Sequence, residues 1–368
     1  MRPSDHSFFL SSFLPRFVAF PFCGVLCDRL SPLRLLHVSQ ILRAAVCVGG
    51  VGAYALSGGI GWLIALSTVC GVMTTQGVMA REVMLPQVFS AQPFKKVLSY
   101  TQIADQLGTI LGPLAASLLF VLLSWETVVL CTAAVFLAAD AALAGWQRAA
   151  QPNIALPAQP GPWFEAFKTP FLHILHRPRL KGLVLLAAAL NLVIGVTLAT
   201  SAAMVTGLHG GTEFTYAALQ TAGAVATVLI LVFVANSAAS LSRLGAWSYA
   251  LVLCGGLLTA LATAPWLYAA GFLLIIGFDK MFNVYIRGAR QEVIPPQDYG
   301  KTTGVIIALN NLSQPLAGLA VSVFSASFDG TRSVIAAFSL FMGIVGVLLA
   351  MVWRRQARLG TVSPEGKA

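Results

Sequence analysis

Charge is scarce in this sequence: Asp, Glu, Lys and Arg make up only 10% of its 368 residues. A water-soluble domain covers its surface with roughly 25% charged residues, so water is not the main solvent of this chain. Acidic residues are scarcest, 13 against 23 basic ones. Cysteine is limited to Cys23, Cys27, Cys47, Cys70, Cys131 and Cys254, all inside apolar runs. There they act as small hydrophobes rather than as a disulfide framework. Cys23 and Cys27 lie one turn apart with only Asp28 beside them, short of a metal-ligand set. His6, His37, His173, His176 and His209 sit at run ends or in connections and form no ligand constellation. Phosphate loops, nucleophile elbows and zinc signatures are missing, which argues against an ATP-driven pump or an enzyme. No metal or cofactor is expected. The net charge of +10 is distributed between apolar runs rather than over one soluble face, so it does not imply a nucleic-acid partner.

What abounds is hydrophobic length, with 57% of residues hydrophobic. A bilayer is crossed by about 20 apolar residues as a helix. Continuous runs without strict alternation exclude a barrel, so the spans are helices. The runs predict eleven of them, at 8–27, 36–56, 60–78, 98–123, 128–146, 183–205, 216–235, 247–263, 266–284, 303–324 and 333–353. With Met1 outside, only Arg2 and Arg332 fall on the outer side, and Arg16, Arg43 and Lys280 fall within spans. Every other Lys and Arg falls inside, and basic residues near span ends resist translocation. The expectation is a multi-pass protein of the cell inner membrane with a periplasmic N-terminus, a cytoplasmic C-terminus and the lipid bilayer as its solvent. The first run is not read as a cleaved signal, because Arg16 interrupts it and it ends in Cys27-Asp28-Arg29.

These spans divide into an N-terminal bundle of five over 1–147, a cytoplasmic linker over 148–182, a C-terminal bundle of six over 183–354 and a tail over 355–368. In the linker, Trp163, Phe164, Phe167, Phe171, Leu172 and Leu175 recur at helical spacing beside Lys168. That spacing suits a short helix at the membrane interface. Pro170 equally permits an extended strand packed under the bundles. Two connections look alike: Arg81-Glu82-Val83-Met84-Leu85-Pro86 precedes a span holding Gly112-Pro113-Leu114-Ala115, and Arg290-Gln291-Glu292-Val293-Ile294-Pro295 precedes one holding Gln314-Pro315-Leu316-Ala317-Gly318. The shared order of parts predicts two pseudo-symmetric bundles.

Gly24-Val25-Leu26-Cys27-Asp28-Arg29-Leu30-Ser31-Pro32-Leu33-Arg34 resembles the loop motif G-x-x-x-D-R-x-G-R-R of the major facilitator superfamily, with Ser31 in place of the second glycine. Gly108-x-x-x-Gly112-Pro113 is similar to the antiporter signature of the exporters in that family, with Ala115 and Ala116 where glycine is usual. Ala80-Arg81-Glu82-Val83-Met84-Leu85-Pro86-Gln87 resembles a segment in the branch containing the enterobactin exporter and related drug-efflux proteins. The resemblance implies an all-α membrane fold of six plus six helices. Eleven spans with an outside N-terminus then leave the family's first helix unaccounted for, which a misassigned start codon or a true truncation would explain. It also implies a cytoplasmic gate formed by Gly24, Asp28, Arg29 and Arg81, with Asp28 accepting hydrogen bonds from a facing helix end or from Arg81.

Ionisable groups inside a bilayer cost about 2.5 to 3.5 kcal/mol each on insertion scales, so each needs a reason. Arg16, beside Pro15, is either a substrate contact or a cap on broken backbone. Arg43, Asp105 and Asp140 lie at one depth, about 10 Å from the inner ends of their spans. Arg43 with Asp140 reads as a structural pair, and Asp105 as the proton-coupling candidate. Asp279 and Lys280 are neighbours that point about 100° apart, and Lys280 reads as snorkelling to the inner interface. Asn191, Gln220, Asn283 and Asn310, with Asn311 and Gln314, line a substrate cavity or bond helix to helix.

The function expected is proton-coupled efflux of a small organic molecule, such as a siderophore or drug-like compound, by a monomer through alternating access. Uptake of an anionic metabolite is the alternative if Arg16 and Arg43 bind anions, and a non-transporting membrane scaffold or receptor is a third.

Overall fold

The structure, a computed structural model, describes residues 18–59, 61–152, 154, 162–325 and 327–358. Among these residues the chain is all-helical. Residues 18–29 form α1, followed by α2 (Pro32–Ser57), α3 (Gly61–Val88), α4 (Phe94–Leu122), α5 (Trp125–Ala150) and α6 (Trp163–His176). Then come α7 (Pro178–Ala203), which a π-helical turn extends over Met204–Leu208, α8 (Glu213–Asn236), α9 (Leu241–Leu261), α10 (Pro265–Val293), α11 (Tyr299–Phe324) and α12 (Phe328–Arg358). Ten of these helices are long and apolar enough to cross a bilayer. The expected first span, 8–27, is described only from residue 18 onward, and Arg16 and the tail beyond Arg358 lie outside the described residues.

Local chemistry sets the helix starts. Pro32 and Pro178 open α2 and α7, where a missing amide costs nothing. Ser124 and Ser240 cap α5 and α9 by accepting from Thr127 N and Arg243 N, and Thr212 forms a reciprocal cap with Thr215 on α8. The linker segment is a helix, so the strand reading of 163–176 does not hold. Pro170 sits within it as a buried residue.

Two helices run well past the ends read from hydropathy. The span expected at 60–78 continues to Val88, and the one expected at 266–284 continues to Val293. Charge lowers hydropathy in both extensions, yet Glu82, Arg287 and Arg290 are buried, so protein rather than water surrounds them.

The chain falls into two compact units. The first comprises the described residues up to Ala91, Thr109–His173 and Ile294–Ala308. In it α2 packs against α3 and α5 through Ala44, Cys47 and Ala133. The second comprises Gln92–Gly108, Ile174–Val293 and the described residues from Leu309 to Arg358. Its core joins Leu183, Leu190, Val193, Val252, Ile275, Phe282 and Met342. A Cβ on Gly255 would lie 2.7 Å from Gly271 O, so glycine is what lets α9 and α10 approach. The opening turns of α4 belong to this unit, where Leu98 packs with Leu231, Val234, Leu244, Met281 and Val284.

Candidate functional site

In the first unit, α1 delivers Asp28 to the start of α11. Asp28 Oδ1 accepts from Gly300 N and Oδ2 from Lys301 N, each at 2.8 Å. The first amides of a helix lack intrahelical acceptors and carry partial positive charge, so a carboxylate fits there. Close helix approach makes the contact possible. A Cβ on Gly24 would clash with Gly300 O, one on Gly300 would clash with Asp28 Oδ1, and one on Gly304 would lie 2.5 Å from Phe20 O.

Further groups brace the same helix start. Lys301 Nζ lies 2.6 Å from Asp298 Oδ1, and Asp298 Oδ2 meets His173 Nε2 of α6 at 2.8 Å. Phe167 of α6 packs edge-on against Phe22 of α1 at 4.8 Å between ring centroids. Arg29 lies over the Trp163 ring, 4.3 Å from its centroid. Burial pushes the Asp28 carboxyl up to about 7, while the bonds from Lys301 N and Gly300 N and the Lys301 charge pull the other way. Arg81 is half-buried on α3.

A contact of opposite sign occurs in the second unit. Lys95, near the start of α4, donates through Nζ to Ser237 O at 2.5 Å and Ala239 O at 2.9 Å. Ser237 is the C-cap of α8. A cation at a helix C-terminus complements the negative end of its dipole.

Deeper in the same unit, Lys280 Nζ pairs with Asp279 Oδ2 at 2.9 Å, and Asn283 Nδ2 donates to Asp279 Oδ1 at 3.0 Å. This corrects the expectation that the two neighbours point apart: the flexible Lys280 stem folds back onto the Asp279 carboxylate.

The expected pair of Arg43 with Asp140 is also corrected. Asp140 Oδ1 meets His37 Nδ1 at 2.6 Å, and His37 Nε2 lies 3.2 Å from Gln147 Oε1. Arg43 donates to Gln40 Oε1 at 2.7 Å and Ser39 O at 3.1 Å and stacks over Phe136. Its guanidinium also borders Gly77 of α3, where no side chain blocks it.

The neutral candidates divide. Gln314 Nε2 donates to Asn191 Oδ1 at 3.4 Å, joining α11 to α7. Gln220 donates to Tyr216 Oη at 2.7 Å within α8. Asn283 is engaged by Asp279, and Asn310 is buried with no hydrogen-bond partner for Oδ1 among the described residues. Gly108 and Gly112 have open space where a Cβ would stand, and Pro113 lies inside α4.

Sequence reasoning missed His37, Lys95, His173, Asp298, Gly300, Lys301 and Gly304. Gly300-x-x-x-Gly304 at the head of an apolar span was a legible sign of close helix approach. The histidines carried no such sign, because their carboxylate partners are more than 100 positions away.

The sequence profile described as Major Facilitator Superfamily matches residues 6–286. A comparison with curated proteins finds no match. Among solved structures, the chain is similar to a bacterial homologue of the iron transporter ferroportin in an outward-facing state, with TM-score 0.73, 16% identity and coverage of 94% of this chain and 90% of that one. It is also similar to the human organic anion transporter MFSD10, with TM-score 0.72, 16% identity and coverage of 93% and 83%. A third likeness is to the proton:xylose symporter XylE bound to 6-bromo-6-deoxy-D-glucose, with TM-score 0.64, 14% identity and coverage of 90% and 84%.

Proposed function

Since the chain belongs to the major facilitator superfamily and is a transporter rather than an enzyme, we propose that it exports a small organic molecule, a siderophore or drug-like compound, in exchange for protons across the cell inner membrane. The observation that carries this reading is the Asp28 contact with the first amides of α11. A transporter working by alternating access needs a closure at one end that forms and breaks without chemistry. A carboxylate on two helix-terminal amides meets that need, because water replaces the amides when the helices part. Asp28, Gly24, Arg29 and Arg81 form this gate on the cytoplasmic side, and Lys95 on the Ser237 and Ala239 carbonyls just after α8 supplies a second closure.

Export is favoured over uptake by the likeness of Gly108, Gly112 and Pro113 in α4 to the exporters' antiporter signature. The anion-uptake reading called on Arg16, which lies outside the described residues, and on Arg43, which is occupied by Gln40, Ser39 and Phe136. Direction is tested with inverted and right-side-out vesicles under an imposed pH gradient, using a panel of drug-like dyes and iron-free siderophores. Acid-inside inverted vesicles should accumulate a panel member and lose it when the gradient is collapsed. Accumulation only in right-side-out vesicles under an acid-outside gradient contradicts export.

A further inference from the structure

Two thiols meet where α2 packs against α3. Cys47 Sγ lies 4.0 Å from Cys70 Sγ, and the two residues come from different spanning helices. Packing on both sides of the pair fixes this meeting. On one side, a Cβ on Gly50 would clash with Leu66 Cδ1. On the other, a Cβ on Gly77 would lie 3.2 Å from Ser39 Oγ and 3.5 Å from an Arg43 guanidinium nitrogen. Each step down α2 meets a step up α3, so the register sets Cys47 opposite Cys70. Cys47 is buried with Ala44 and Ala133, whereas Cys70 is half-buried and leaves the pair a way in.

A cation stands beside the thiols. Arg43 is one turn from Cys47 on α2, and Gly77, which its guanidinium borders, is two turns from Cys70 on α3. Among the described residues the partners of Arg43 are all neutral: Gln40 Oε1, Ser39 O and the Phe136 ring. A charge inside a bilayer is costly without an opposite one. The surroundings therefore suit a guest that brings one negative charge to the thiol pair.

We propose that Cys47 and Cys70 bind one soft monovalent cation, of the Cu(I) or Ag(I) class, as a two-coordinate thiolate complex whose charge Arg43 balances. Thiolates select soft ions of this kind. A metal–thiolate bond is about 2.3 Å long, taking the zinc value, so two in line span about 4.6 Å. The 4.0 Å between the sulfurs opens to that span by small rotations of the two side chains. Binding breaks two S–H bonds, forms two metal–sulfur bonds and sends two protons to solvent, with no electron transferred. Two thiolates and one monovalent ion carry one net negative charge, and the guanidinium carries one positive. Zinc is poorly served, because it takes four ligands and no third His, Cys, Asp or Glu joins the pair among the described residues. The site is independent of the proposed export.

The test titrates the full chain in detergent micelles with silver nitrate in chloride-free buffer, recording ions bound and protons released. Other thiols take silver too, so the informative quantity is a difference. Wild type should bind one ion more per chain than Cys47→Ser/Cys70→Ser and release two protons more. Arg43→Gln should weaken that extra ion about tenfold or more, as groups that support a metal's ligands typically do, and Arg43→Lys should restore it. Unchanged Tm without silver shows that the double variant folds, and Cys47→Ala/Cys70→Ala replaces it if serine does not fold. A difference of two ions means that each thiol binds alone and overturns the shared site. No difference overturns binding at this pair, and unchanged affinity in Arg43→Gln overturns the charge balance.

Discussion

The Asp28 carboxylate takes both amides that open α11, from Gly300 and Lys301, at 2.8 Å each. One acid thus holds the ends of two helices that are more than 270 positions apart in sequence. Asp28→Asn replaces one acceptor oxygen with an amide that faces a backbone N–H. A buried donor left without its acceptor costs about 1 to 3 kcal/mol, so the latch should weaken about tenfold. Transport should fall while membrane insertion, read by detergent-extracted yield and monodispersity, stays intact. Normal flux from a properly inserted variant removes Asp28 from the mechanism.

The same carboxyl fixes a pH response. Its acid form is favoured in the latched state, being pushed from the ordinary 3.8 up to about 7 by burial. Stability from this group is therefore fully present below about pH 4 and is lost as pH rises through about 7. The difference in Tm between wild type and Asp28→Asn should fall across that window. A difference that stays flat from acid to neutral pH contradicts the buried latch.

Glycine substitutions separate close approach from helix propensity. Gly300→Ala places a methyl group against Asp28 Oδ1 and 2.7 Å from Gly24 O, an overpacking of about 1 to 3 kcal/mol. Gly49→Ala, in open space on α2, should stabilise by about 0.5 to 1 kcal/mol because glycine weakens a helix interior. Thermal unfolding of the two variants should shift in opposite directions, and a stabilising Gly300→Ala refutes the close contact.

Topology is the fourth expectation, from the placement of Lys and Arg. A fluorescent reporter fused after Arg358 should be active, and alkaline phosphatase fused there should be inactive. Phosphatase activity at that position reverses the orientation.

Much of the fold was legible because hydropathy marks what lipid requires. The end of α3 was not legible, since Arg81 and Glu82 read as a loop, whereas the helix runs through both and Glu82 is buried. The motif pointed to Asp28, and a facing helix end was one of its two expected partners. Which helix supplies that end could not be read, because the partners are backbone amides and every residue carries one. Asp140 was visible as a costly intramembrane acid, but its partner was misjudged. Equal depth favoured Arg43, whereas the helix faces set His37 against it.

We propose that proton movement at Asp105 drives transport. The most direct measurement compares wild type and Asp105→Asn in inverted vesicles, recording both pH-gradient-driven accumulation of a transported panel compound and its exchange in the absence of a gradient. The account predicts that Asp105→Asn abolishes accumulation and keeps exchange. Accumulation at the wild-type rate, with the wild-type pH dependence, contradicts it.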